Sequence, residues 1–262
     1  IDDEAFAFEN GLTSITLPAG IIAIGENAFI DCTSLTSINI PKGVVYIGEG
    51  AFGNCSSLTS ITLPSSVTEI GEFVFSDCTS LRNAVISFGV TSIGGSAFDG
   101  CSGLTSITLP SSVTEIGGFA FRNCTSLRNV VFPSGVIRIG ESAFDGCSGL
   151  TSVTLPSGVT EIDNCAFSDC TSLRNVVIPS GVTHIGASAF YGCSSLMSVT
   201  LPSDVTEIDT WAFRDCTSLK NVVIPSGVTD IGDEAFRGCS SLTDINIPSS
   251  VTEIGQGAFG YC

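Results

Sequence analysis

Leu58-Thr59-Ser60-Ile61-Thr62-Leu63-Pro64, then Ser65-Ser66-Val67-Thr68-Glu69-Ile70-Gly71, then Glu72-Phe73-Val74-Phe75-Ser76-Asp77-Cys78-Thr79-Ser80 form the stretch from which the whole chain is built. Leucine returns at a constant step of 23 residues from Leu12 to Leu242, and phenylalanine at the same step from Phe6 to Phe259. Self-similarity at a period of roughly 20–29 residues is the mark of a solenoid, in which each unit packs only on its neighbours. The period outweighs what a length of 262 residues would otherwise suggest, one or two globular domains.

Within one unit, Leu58, Ile61 and Leu63 are apolar and the residues between them polar and β-branched or small, which predicts a strand with one buried face. Pro64 ends it, because proline cannot donate to a ladder. Val67 and Ile70 mark a second short extended piece with both side chains inward. Gly71 heads a column in which Asp163 and Asp209 stand in for glycine, and that exchange predicts a positive φ there. The segment ending Val74-Phe75-Ser76-Asp77-Cys78 has the spacing of a single short helical or 3-10 turn. Eight columns are apolar: those of Leu58, Ile61, Leu63, Val67, Ile70, Val74, Phe75 and Cys78. One unit cannot bury them alone, but stacked units continue each column into the next.

A second period, of 46 residues, overlies the first. Arg82, Arg128, Arg174 and Lys220 each follow the opening leucine, and each is followed by asparagine and an apolar pair; most intervening copies read Thr-Ser there. Like charges on adjacent in-register strands repel. Placing them on every second coil sets them roughly 9.6 Å apart, near the Debye length at physiological salt.

The balance of 9 basic and 26 acidic residues makes the chain strongly acidic, with a formal charge of −17. That disfavours nucleic acid and anionic membrane surfaces as partners and favours solubility. No run of 18 apolar residues exists, so no segment reads as a membrane-spanning helix. Of 12 cysteines, 11 occupy one column, from Cys32 to Cys262. An odd file cannot pair off internally, and buried thiols pack as small apolar groups, so a reduced, buried ladder is expected. A single file does not converge tetrahedrally on a metal, and no metal or cofactor site is expected.

Nothing in the sequence reads as catalytic. His184 is the only histidine and has no evident nucleophile partner. Surface candidates for binding come from columns that vary between copies. One column holds Tyr46, Arg138 and His184; another holds Tyr191; a third carries Trp211 where alternate copies have serine. The row Arg82, Arg128, Arg174 and Lys220 should face outward from the strand surface and is the only regular basic feature. Exposed aromatics and arginines are common interface anchors, although unconstrained surface positions read the same way.

Leu104-Ile107-Leu109-Pro110, Val113-Ile116-Gly117 and Ala120-Phe121-Cys124 show the motif most clearly, and it resembles the BspA-like leucine-rich repeat family across the whole chain. Ordinary leucine-rich repeats carry Asn or Cys three residues after the third apolar anchor; Ser66, Gly135 and Gly158 stand there instead. The resemblance implies one right-handed leucine-rich-repeat solenoid over residues 1–262, with about eleven 23-residue coils, parallel strands on the concave side and short helical or 3-10 turns. Ile1 and Cys262 both fall inside a repeat, which predicts a fragment of a longer protein. The resemblance further implies an extracellular or cell-surface setting and adhesion to a matrix or cell-surface protein. The expected role is therefore a non-catalytic protein-interaction solenoid. The alternative is a structural spacer whose partners are neighbouring subunits of an assembly.

Overall fold

The computed structural model describes residues 1–262 as a stack of parallel coils in strict register. Each strand pairs with its equivalent 23 residues on, as Ser60↔Asn83, Ile61↔Ala84 and Thr62↔Val85 do. The first strand of each coil is three residues long. Eight of them, from Ser60–Thr62 to Asn221–Val223, form one parallel sheet, and Ser14–Thr16 pairs with Ser37–Asn39 separately. The second strand has two residues, as in Glu69–Ile70, and these strands form three parallel runs of two, four and five.

The coils share one hydrophobic core of 77 residues. All eight expected columns lie in it: Leu58, Ile61, Leu63, Val67, Ile70, Val74, Phe75 and Cys78 are each at most 3% exposed. In the phenylalanine file, neighbouring rings from Phe6 to Phe259 stack with centroids 5.0–5.7 Å apart, within the range for offset stacking. Burial of one such side chain contributes roughly 1.5–3 kcal/mol, so the file is a main source of cohesion along the axis.

The cysteine file is reduced, and every member from Cys32 to Cys239 is buried. The Cys124 thiol donates to the Phe98 carbonyl (3.2 Å), which also accepts the Cys101 amide (3.1 Å). One carbonyl thus closes the turn of its own coil and holds the next coil's thiol. Burial pushes the thiol of Cys32 up to about 11 and that of Cys239 to about 12, because a thiolate there would lose its hydration.

Two sequence expectations are corrected. The segment after Gly71 is not helical; it is a chain of turns. Alternate amides leave the coil altogether: Phe73 donates to the Gly95 carbonyl (3.0 Å), Phe75 to Ala97 (2.8 Å) and Asp77 to Asp99 (2.7 Å). Those bonds across coils consume the donors that a helical turn would need. Nor does the Gly71 column have positive φ. The left-handed residues lie on either side of Phe75, in the columns of Phe73 (φ 56°) and Asp77 (φ 56°), and every coil has both. At most glycines of that column, though not at Gly71 itself, a side chain would lack room: a Cβ on Gly117 would lie 2.7 Å from the Gly95 nitrogen and one on Gly48 2.5 Å from the Glu26 nitrogen.

Candidate functional site

The first sheet turns a distinctive surface to solvent. Its strands show an exposed–buried–exposed pattern, so the residues equivalent to Ser60 and Thr62 face outward. Thr59 and Arg82, just before their strands, are exposed too. Because the sequence alternates between coils, this face carries three parallel rows. Arg82, Arg128, Arg174 and Lys220 make the first. Asn83, Asn129, Asn175 and Asn221 make the second. Val85, Val131, Val177 and Val223 make the third, and they are 44%, 64%, 55% and 67% exposed. Threonine and serine hold most of these positions on the intervening coils, paired as Asn129↔Ser106 and Val131↔Thr108, with the exposed Met197 and with Asn39 among the exceptions.

The electrostatics of this face are set by what surrounds the cations. Arg122, Arg214, Arg237 and His184 are the basic side chains that meet a carboxylate within 4.0 Å, so the four cations of the row stand unpaired. From Thr36 to Val223, no Asp or Glu occupies the three outward columns. A chain of charge −17 has kept this strip purely cationic. Two shallow depressions repeat along it: one of about 590 Å³ lined by Val131, Phe132, Thr154 and Pro156, and one of about 360 Å³ lined by Val177, Ile178, Thr200 and Pro202. Each lies where an exposed valine meets the threonine of the following coil.

The other sequence candidates lie elsewhere. Tyr46, Arg138 and His184 begin strands of the second sheet, in a column otherwise rich in carboxylates: Glu69, Glu115, Glu161, Glu207, Asp230 and Glu253. His184 is held by acids, with Nε2 3.3 Å from Asp209 and Nδ1 3.7 Å from Glu207. The two sheets therefore carry opposite charge. Tyr191 and Trp211 lie in the turns, where with Arg214 and Cys165 they line a depression of about 330 Å³. There the arginines are neutralised internally: Arg214 sits 5.4 Å over the Trp211 ring and bonds Glu234, and Arg122 sits 5.0 Å over Phe119 and 2.6 Å from Asp99. The nine candidates thus fall on three separate surfaces. Sequence reading missed the valine row, although its signal was present: a valine three residues after each cation of the row, in the same 46-residue step.

No group of three or more His, Cys, Asp or Glu side chains is placed to hold a metal ion, and no helix is long and apolar enough to cross a membrane. The geometry is that of a long, regular, solvent-facing surface. The family model for the BspA type leucine rich repeat region matches residues 1–124, 91–220 and 139–262, and so covers the chain from end to end. The chain belongs to the BspA-type leucine-rich repeat family. Solved structures agree. A leucine-rich repeat protein from Bacteroides ovatus is 30% identical, with a TM-score of 0.67 over 95% of this chain and 84% of its own. A leucine rich cell surface protein from Faecalibacterium prausnitzii is also 30% identical, with a TM-score of 0.52 over 94% and 82%. The leucine rich repeat protein of T. pallidum is 32% identical, with a TM-score of 0.57 over 71% and 83%. No curated protein sequence matches the chain. Within this BspA-type solenoid the cationic strip is a surface on which polar and apolar rows run side by side.

Proposed function

We propose that this BspA-type solenoid is a non-catalytic protein-interaction segment of a cell-surface or secreted protein, and that it acts in adhesion or recognition through the outward face of its first sheet. The observation that carries this reading is the strip of four unpaired cations, free of carboxylates, in a strongly acidic chain. Exposed cations gain only modestly from each contact, but a complementary field raises association rates and selects the partner. The similar protein from F. prausnitzii, described as a cell surface protein, supports the setting. The test is the double substitution Arg128→Glu/Arg174→Glu, assayed for attachment to immobilised matrix proteins and to intact cells. Attachment should weaken at least severalfold. Attachment indifferent to this change would leave the spacer reading in its place.

A further inference from the structure

The spacing of the strip selects the kind of chain that fits it. Equivalent residues on neighbouring coils are parallel strand partners, as in Asn129↔Ser106 and Ser198↔Asn221. The cations, on every second coil, therefore recur about every 9.6 Å along the axis. A polyproline-II chain has three residues per turn and a rise of about 3.1 Å, so every third side chain returns to the same edge after about 9.3 Å. Over the three intervals from Arg82 to Lys220 the two lattices drift apart by only about 0.9 Å. An α-helix returns to the same face after seven residues, about 10.5 Å, and drifts by about 2.7 Å over the same length. An extended strand covers about 9.9 Å in three residues, but its third side chain points to the opposite face.

Two further features favour the same ligand. The side chains of Asn83, Asn129, Asn175 and Asn221 are exposed and make no hydrogen bond within the protein. A polyproline-II backbone has no internal hydrogen bonds, so its carbonyls are free to accept from these amides. The exposed Val131 and Val177, each beside a depression that also holds a proline, Pro156 or Pro202, offer contact for proline rings.

We propose that the strip binds an extended polyproline-II segment of a partner protein with an acidic residue at every third position. Its carboxylates face the Arg/Lys row, its prolines face the valine row, and its third edge faces water. This rests on the reading of the strip as the interaction surface, but its failure is separable from failure of that reading.

The probe is a capped peptide of about five Glu-Pro-Pro triplets, long enough to span the row at ~9.3 Å per turn. The control peptide has the same composition with the glutamates in one block and the prolines in another. Fluorescence anisotropy with the whole chain should show the triplet peptide binding at least about tenfold more tightly than the block peptide, equivalent to ~1.4 kcal/mol. Arg128→Glu/Arg174→Glu should lower that affinity by about tenfold or more with the thermal midpoint unchanged, and salt should weaken it. Equal binding of the two peptides, no binding of the triplet peptide, or preference for an acidic polysaccharide overturns the proposal. If neither peptide binds but the double substitution still weakens attachment to matrix or cells, the strip remains the interaction surface and only this partner is wrong.

Discussion

Replacing Phe121 with alanine tests the physical basis of the stack most directly. The ring is fully buried and stacks on both sides, 5.3 Å from Phe98 with the planes 5° apart and 5.2 Å from Phe144 with the planes 12° apart. Phe→Ala in a packed core costs about 3–5 kcal/mol, from lost transfer energy and the residual cavity. Here two ring contacts vanish at once, each worth about 0.5–1.5 kcal/mol beyond burial. The core repeats on either side and offers no spare side chain to refill the space. The upper part of the range follows, about 4–5 kcal/mol. Phe119, two residues earlier, is a matched control. It is partly exposed and held at φ 60°, where a non-glycine residue carries about 1–2 kcal/mol of strain. Phe119→Gly gives up the Arg122 contact but relieves that strain, and should change stability by less than about 1 kcal/mol. The assay is urea unfolding combined with amide hydrogen exchange. Because each coil touches only its neighbours, lost protection for Phe121→Ala should centre on the coils of Phe98, Phe121 and Phe144. A loss below about 1 kcal/mol, or exchange raised evenly along the chain, would refute the account of the file as the source of cohesion between coils.

Two further outcomes follow from packing and titration. Alkali should unfold the protein steeply: buried thiols such as those of Cys32 and Cys239 have folded-state values raised above their ordinary value of 9.0, to about 11 and about 12. The unfolded chain then loses protons before the folded one does, so the stability present below pH 9 falls as pH rises through 9 toward 11–12, by up to ~1.4 kcal/mol per pH unit for each such thiol; circular dichroism against pH reads it, and a flat profile to pH 11 sinks the claim. Gly117→Ala, whose new Cβ would meet the Gly95 nitrogen at 2.7 Å, should destabilise by about 1–3 kcal/mol. Gly71→Ala, with no atom nearer than 3.6 Å, should be neutral or gain up to about 1 kcal/mol; thermal unfolding of the pair decides, and equal effects would contradict the close-approach explanation.

The buried columns were legible because a strict repeat reports each position many times over: Leu58, Val67, Phe75 and Cys78 needed no structure to be placed inside. The turn after Gly71 was misread because spacing alone cannot show where an amide is spent. Val74, Phe75 and Cys78 have the spacing of a helical turn, yet the amides of Phe73, Phe75 and Asp77 in the same segment all donate to the following coil. Likewise, Gly71 alternating with aspartate suggests a left-handed backbone, whereas the left-handed sites admit Phe73, Phe119 and Trp211, which no propensity rule would place there. The cation row was visible from its 46-residue step. Its isolation from every carboxylate was not, because that depends on which columns share a face. Trp211 stood out as a bulky group in a column that otherwise alternates with serine, but the Glu234 carboxylate that engages its neighbour Arg214 comes from the following coil and meets it only through the stack.

The two left-handed residues and three outgoing amides of every winding make successive coils interchangeable in backbone, while the alternation of their side chains makes them distinct in pairs. Excising a 46-residue module would shorten the body and keep arginine and threonine in step. Excising 23 would keep the backbone equally content but bring two like-charged coils together, about 4.8 Å apart. The unit in which such a protein can change its length without spoiling its charged strip is therefore the doublet.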